Sequence, residues 1–497
     1  MLRRLFKQSV FAVAGQVSLL ALSFAFSMLF SRLLTPADFG LVLTFTSLTM
    51  FVVLITDFGM LNTIVKFVGK SVFAEDGETN FYFRYFLRIR LVIVTISTLL
   101  IYFYSENLAL LLLHSAAYTY IFQTIAAVSF LYSFIPFLDA LISSKNRYDY
   151  LFLGVLSVNS LRLFIPLALI FLFASRDPSL VIMGISAAFV LGLIYYIIAF
   201  AHLFKDHLTY VVAPRSLSAL HEFLFFSALL NTGGALFSNL DVMLLNYFIS
   251  PVEVAMLKSA QVIMNGVLAL TPTSTRFLFS ALVEMDAKEQ LSRQLKTYDM
   301  TIKYGAMFAI PLTFFLFFFS KKIIFLIYPE TYAPASVALQ LFSISIFFIF
   351  IQGLGANLLY AKGKIKEICA VSISSSILSL GLNYWLIPQF GFMGAAATST
   401  SINFVMSIVV TTLAINSLPG LKFRIMYLIK PLAVSILVTF LLFTARQFIP
   451  DVLPLGMGIP NIFLFAAFGG LLWGALYLAI LDQEDWGLIK RLIRAYR

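Results

Sequence analysis

Three cations, Arg162, Lys258 and Arg276, stand inside long apolar runs of this chain. A charge at the centre of a bilayer costs about 2.5–3.5 kcal/mol on insertion scales, so such a residue faces a cavity or a partner. Lys258 and Arg276 are 18 residues apart, five full helical turns, and point the same way. Asn265 lies near that line and Gln261 sits one turn from Lys258, so one face carries two cations and two amides over about 27 Å. Pro272 interrupts the face and predicts a kink. The preceding run bears a second polar stripe, Ser227, Asn231, Ser238 and Asp241, with Asp241 a candidate partner for Lys258 or Arg276. Arg162 follows Asn159 by one turn and precedes Pro166. Guanidinium and ammonium groups hold phosphate oxygens, and amides bond hydroxyls. Arg162, Lys258, Arg276, Asn231, Gln261 and Asn265 therefore form a candidate binding set for an anionic, hydroxyl-rich ligand. The plainer alternatives are snorkelling of the two cations to opposite interfaces and ordinary hydrogen bonds between helices. Asp57, Asp139 and Asp241 are candidates for carrying H⁺ or Na⁺, although solvated or packing roles suit Asp57 and Asp139 near span ends.

Nothing in the sequence assembles a catalytic centre. The four histidines (His114, His202, His207, His221) fall at predicted helix ends or loops. There is no metal-ligand spacing, no glycine-rich phosphate loop and no paired acid and base. A single cysteine, Cys369, excludes an intramolecular disulfide and argues against a Cys-based metal site. The expectation is a protein that is not an enzyme, with no cofactor and no metal, driven at most by an H⁺ or Na⁺ gradient.

The elements that must position these residues are membrane helices. The chain is 61% hydrophobic and 11% charged, with 54 Phe, against about a quarter charged in water-soluble domains. A spanning helix needs about 20 mainly apolar residues. That criterion predicts fourteen spans, at 10–33, 38–63, 86–104, 119–142, 150–174, 178–201, 223–247, 252–283, 303–320, 334–360, 366–387, 392–416, 426–446 and 458–481. The basic start, Met1 to Lys7, resembles a signal peptide, but the apolar run continues to Leu34 and reads as an uncleaved first span. The net charge of +11 then needs no nucleic acid. Of the 34 basic residues, five (Arg32, Arg176, Lys321, Lys322, Arg446) fall on one face and three within spans, and the rest lie on the other face. The positive-inside rule makes that basic face cytoplasmic, with both termini on it, in a cell (inner) membrane. The connecting loops are too short for a soluble catalytic domain.

The chain also repeats itself. Thr35-Pro36-Ala37-Asp38-Phe39-Gly40 is matched by Ser250-Pro251-Val252-Glu253-Val254-Ala255, 215 residues later. Each copy has a hydroxyl at the N-cap, proline at the first helical position and a carboxylate in the first turn. Leu141 to Arg147 aligns with Leu358 to Lys364, and Met183 to Ala188 with Met393 to Thr398. Spans 1–6 therefore repeat as 7–12 in one orientation, related by an axis along the membrane normal. The predicted organisation is all-α: an N-terminal lobe over 1–215, a C-terminal lobe over 216–420, and two appended spans with a basic tail over 421–497.

Ser31-Arg32-Leu33-Leu34-Thr35-Pro36-Ala37-Asp38-Phe39-Gly40, with Asp57-Phe58-Gly59-Met60, resembles the N-terminal signature of the polysaccharide-biosynthesis membrane proteins. These are oligosaccharide flippases of the multidrug/oligosaccharidyl-lipid/polysaccharide exporter superfamily. Phe390-Gly391-Phe392-Met393-Gly394-Ala395-Ala396-Ala397 is similar to a second segment typical of them. The resemblance implies two lobes, alternating access, and a lipid-diphosphate-linked oligosaccharide moved from the cytoplasmic to the outer leaflet. It also implies a polysaccharide polymerase or ligase as possible partner machinery. Arg32, Pro36, Asp38 and Gly40 match the family motif, and Arg32 and Asp57 are read as mainly structural, shaping the first turn and the end of the second span. The rival readings are a lipid II flippase, a multidrug antiporter of the same superfamily, and a membrane glycosyltransferase or polymerase. The basic stripe disfavours the multidrug reading, and the short loops disfavour the last.

Overall fold

The computed structural model describes residues 2–74, 76–208, 212–214, 217–268, 282, 285–286, 290–421, 426–445 and 461–480. They form seventeen α-helices: α1 (Leu2–Leu33), α2 (Pro36–Ile55), α3 (Met60–Ala74), α4 (Thr79–Phe103), α5 (Ser105–Leu113), α6 (Thr119–Tyr132), α7 (Phe134–Ser144), α8 (Tyr148–Phe173), α9 (Pro178–Phe204), α10 (Ser218–Phe248), α11 (Pro251–Leu268), α12 (Leu291–Ile327), α13 (Ala335–Ala361), α14 (Ile365–Phe390), α15 (Phe392–Ser417), α16 (Met426–Ala445) and α17 (Asn461–Ile480). Among the described residues there is no strand. Eleven helical segments are long and apolar enough to cross a membrane, or twelve if the bent α10 is counted as one. The count of fourteen is not reached, because the predicted eighth and fourteenth spans run into residues outside the described set. Apolar side chains such as Phe103, Phe171, Leu172 and Leu471 are more than 70% exposed, as a lipid-facing surface requires. The chain is a multi-pass membrane protein.

Two predicted spans are not continuous helices. The second is broken between α2 and α3 at Thr56–Gly59, and the fourth between α6 and α7 at Ser133. In the first break Phe58 and Gly59 both take positive φ, 46° and 74°.

The predicted cap at Thr35 is present. Its Oγ1 accepts from the Asp38 amide (3.2 Å) and donates to Asp38 Oδ2 (2.6 Å), with Pro36 opening the helix. The same grammar recurs where the sequence reading did not mark it: Asp177 accepts from the Ser179 amide at 2.8 Å and Pro178 opens α9. At the Ser250 copy the carboxylate does something else. Glu253 Oε2 accepts from the Phe392 amide at 2.7 Å and so caps α15, the helix of the second signature segment. Gly391, at φ 58°, leaves room for that carboxylate, which a Cβ would meet.

Helix pairing in the first six spans recurs in the next six. α1 packs on α8 as α10 packs on α14, and α8 on α9 as α14 on α15. Likewise α4 packs on α6 as α12 on α13, α3 on α7 as α11 on α13, and α7 on α9 as α13 on α15. α16 packs on α12 and α17 on α16. The two sets meet mainly where α2 touches α11 and α10, α3 touches α10, and α1 touches α11. One apolar core runs through this boundary, from Phe39 and Phe45 to Val254, Leu257 and Tyr332.

Gly59 makes one of the tight approaches here, because a Cβ there would fall on the Ser227–Ala228 backbone of α10. Gly59→Ala combines this crowding with a left-handed backbone, a strain of about 1–2 kcal/mol before the steric part. The thermal midpoint of the detergent-purified protein should fall clearly, whereas Gly234→Ala, at a position with open space around it, should not lower it comparably.

Candidate functional site at the boundary between the two sets of spans

A broken helix leaves backbone carbonyls without partners, and Arg90 of α4 supplies donors to both breaks. Its Nη1 donates to the Thr56 carbonyl (3.1 Å) and lies 3.5 Å from Asp57 Oδ1, while Nη2 donates to the Ser133 carbonyl at 2.8 Å. Arg90 and Asp57 are 0% and 1% exposed, so both are removed from water. Asp57 Oδ1 also accepts from the Leu61 amide at 3.2 Å, starting α3. Its Oδ2 accepts from Asn231 Nδ2 of α10 at 2.7 Å, and Asn62 Nδ2 in turn reaches Asn231 Oδ1 at 3.5 Å.

Arg90 was counted with the loop charges of the basic face, and the structure corrects that. The signal was present, since Arg90 lies within the run predicted to span at 86–104. Asp57 is likewise not a solvated residue at a helix end. Asn231, assigned to ligand hydroxyls, has its amide nitrogen on Asp57.

The polar stripe of α10 turns toward the other helices of the boundary. Ser227 is buried against Gly59. Asp241, 4% exposed, accepts from Gln261 Nε2 of α11 at 2.9 Å. Its partner is therefore an amide and not Lys258, and Gln261 is taken up by the pair. Lys258 is partly buried, and among the described residues it makes no ion pair. Asn265 is exposed. Arg276, Pro272 and the Ser238 side chain lie outside the described residues, so the far end of the predicted basic stripe does too.

Within the first six spans, Arg162 of α8 lies over the Phe26 ring of α1, 5.1 Å from its centroid. Its Nε is buried without a hydrogen-bond partner. Asn159, one turn away, donates to the Val155 carbonyl of its own helix at 2.8 Å. Asp139 of α7 makes no hydrogen bond or ion pair among the described residues.

Contacts across the boundary close it at both ends. On the basic face Tyr85 Oη and His221 Nε2 are 2.8 Å apart, and Lys66 Nζ lies 3.8 Å from the centroid of the Phe223 ring. On the opposite face Ser27 Oγ bonds Tyr328 Oη at 2.8 Å, and that hydroxyl donates to the Ser259 carbonyl at 3.3 Å. Arg32 was expected to shape the turn between the first two spans. It instead donates to the Leu326 and Ile327 carbonyls (3.3 and 3.2 Å), which satisfies the C-terminal end of α12. Thr44 and Asn246 bond at 3.0 Å, and Gly40 lies against Pro251 with no space for a Cβ. The signature residues thus hold the boundary at the end of the chain's first hairpin.

A family described as polysaccharide biosynthesis protein matches residues 29–337, more than half of the chain, from the end of α1 through α12. The chain belongs to that family. Among solved structures it is similar to the lipid II flippase MurJ in an inward closed conformation, with a TM-score of 0.72 and 13% identity over 95% of this chain and 98% of that one. It is also similar to an inward-facing multidrug resistance MATE family transporter of the MOP superfamily, with a TM-score of 0.63 and 14% identity over 84% and 95%. A MOP superfamily transporter from Pyrococcus furiosus, whose binding pocket is of reversed polarity, gives a TM-score of 0.57 at 14% identity over 85% and 96%. The chain shares the fold of these solved structures. An uncharacterized membrane protein of Methanocaldococcus jannaschii, MJ1068, is 30% identical over 109 residues, 21% of this chain. The match spans about a fifth of that relative's length.

Removing one partner of a buried ion pair typically costs about 3–5 kcal/mol. Arg90→Leu, which strips both helix breaks of their donor as well, should therefore unfold this protein at markedly lower temperature in detergent. Asp57→Asn should cost less, since the amide oxygen still accepts from Asn231 or Leu61. Equal midpoints for wild type and Arg90→Leu would overturn the role given to the guanidinium.

Proposed function

We propose that this protein flips a lipid-diphosphate-linked oligosaccharide, of the polysaccharide repeat-unit kind, from the cytoplasmic to the outer leaflet of the cell membrane. In this reading the basic face is cytoplasmic, residues 1–215 and 216–420 are lobes that rock about their boundary, and the spans of 421–497 are an appendage. A polysaccharide polymerase or ligase on the far side would consume the product.

Arg162 carries the reading within the family just assigned. It is a guanidinium inside the bundle, with no carboxylate partner among the described residues, beside α1, which touches α11 of the other lobe. Lys258 on α11 adds a second cation across that boundary, without an ion pair among the described residues. A cation held this way favours an anionic ligand, and diphosphate oxygens match a guanidinium fork. Arg276 would extend the set, with the exposed Asn265 available to sugar hydroxyls. Arg162→Ala and Lys258→Ala should each reduce export of surface polysaccharide at least about tenfold, the loss of one charge-assisted hydrogen bond, with the protein still in the membrane. Undiminished export from both variants would remove the assignment.

A lipid II flippase is the second reading, favoured by the MurJ likeness over nearly the whole of both chains. Proteoliposomes offered lipid II and an oligosaccharide-diphosphate lipid side by side separate the two, since the proposed function requires the second to be moved faster.

Of the three carboxylates considered for ion coupling, Asp57 is held by Arg90 and Asn231, and Asp241 by Gln261. Asp139 is left for H⁺ or Na⁺. Asp139→Asn should abolish stimulation of flipping by an imposed pH or Na⁺ gradient while leaving the ungraded rate in place. A variant stimulated as strongly as wild type would exclude this residue.

A further inference from the structure

α4 has two faces of opposite character. Arg90 turns into the first six spans. Phe81, Arg84, Tyr85, Arg88 and Ile89 line a cavity of about 450 Å³ on the other side, at the basic end. Arg84 and Arg88 are one turn apart and both exposed. Arg84 Nε donates to Oδ1 of the buried Asn80 at 3.0 Å, which fixes the stem and leaves the Nη groups for a ligand. Neither arginine has a carboxylate partner among the described residues.

The depth of this pair is set by the helix. Phe103, 75% exposed, marks the far end of α4. The hydrocarbon layer is about 30 Å thick, about 20 residues of helix. Arg84 therefore lies at the edge of that layer, where lipid phosphates are found. Beyond the arginines the surface is oily, with Val92, Ile96 and Leu100 58%, 54% and 54% exposed. A second cavity, of about 290 Å³, follows between Ser97, Leu100 and Ile101 of α4, Val52 of α2, Phe122 of α6 and Met243 of α10. Leu100 stands eleven residues beyond Ile89, about 20° off the same line and about 16 Å further along. A cationic pocket, an apolar strip and an apolar slot thus follow one another along a single helix.

We propose that this is a site for one anionic phospholipid of the leaflet at the basic face. Its phosphate lies between Arg84 and Arg88, and one acyl chain runs along Val92 and Ile96 into the slot at Leu100 and Met243. The inference is separate from the transported substrate, because it uses none of the residues assigned to that ligand. Tyr85 on the pocket wall is also the residue that meets His221 of α10, so the lipid sits beside a contact that closes the basic face.

The test uses the full chain in phosphatidylcholine liposomes carrying a photoactivatable phosphatidylglycerol, with crosslinked peptides mapped by mass. Wild type should be labelled between Val92 and Ile101, and a photoactivatable phosphatidylcholine should label that segment far less. At about 1 kcal/mol for each basic residue near the surface, Arg84→Gln/Arg88→Gln should lower the labelling about 30-fold. Arg84→Lys/Arg88→Lys should keep most of it, and Lys321→Gln on the opposite face should change nothing. Unlabelled phosphatidylglycerol should displace the probe, and undecaprenyl diphosphate at the same excess should not. Equal labelling by the two lipids, an undiminished double Gln variant, or displacement by the diphosphate would each overturn the site.

Discussion

One guanidinium holds the first half of this protein in shape. A helix interrupted inside a bilayer exposes carbonyls that no water can satisfy, at several kcal/mol each. Two of the first six spans are interrupted nevertheless, because Arg90 reaches the Thr56 carbonyl with one Nη and the Ser133 carbonyl with the other. The rigid five-donor fork of arginine makes this possible, whereas a lysine would offer three donors from a single nitrogen. Asp57, in the first break, lies beside the charge that would otherwise be alone. The directions of α3 and α7 are thereby both referred to α4.

The boundary with the second half inherits this geometry. Arg90 and the Leu61 amide engage one oxygen of Asp57 and present the other to Asn231 of α10. The same break places Gly59 against the Ser227–Ala228 backbone, where any side chain would push α10 away. The register of α2 and α3 against α10 is thus set by a carboxylate that Arg90 orients and by a missing Cβ. This arrangement also explains why the polar stripe of α10 is not simply a ligand-facing surface, for Ser227, Asn231 and Asp241 each have a helix partner.

Much of this was legible in the sequence, for physical reasons that also mark where reading stops. Long apolar runs reveal spans because a bilayer has a fixed thickness, and the Thr35–Asp38 cap was visible because its donors and acceptors lie within four residues. The 215-residue offset between the two Pro-containing helix starts anticipated helix pairings that recur six spans later. Local pattern gave no partners for side chains, however. Arg90 meets groups 33 to 43 residues away, and no periodicity encodes that. The break at Asp57-Phe58-Gly59 was read through because hydropathy stays high across it. Glu253 looked like a first-turn carboxylate of its own helix, and only the fold shows it capping α15, 139 residues on.

The two ends of the boundary are held by different chemistry. At the basic face the polar links are Tyr85 with His221, a hydrogen bond among exposed groups, and Lys66 over the Phe223 ring, beside the Phe67–Phe223 edge contact. Water can replace such partners, so each is worth only about 1 kcal/mol. At the opposite face the Ser27–Tyr328–Ser259 chain is buried. It stands beside the Phe39–Tyr332 edge contact and the Gly40–Pro251 approach. Parting that end exposes apolar area, at about 25 cal/mol for each Å² that meets water, and breaks hydrogen bonds that are buried in this structure. The structure is thus held through exposed polar links at the basic face and through buried ones at the opposite face. The Asp57–Asn231 bond, buried on the Asp57 side, joins the same two sets of helices.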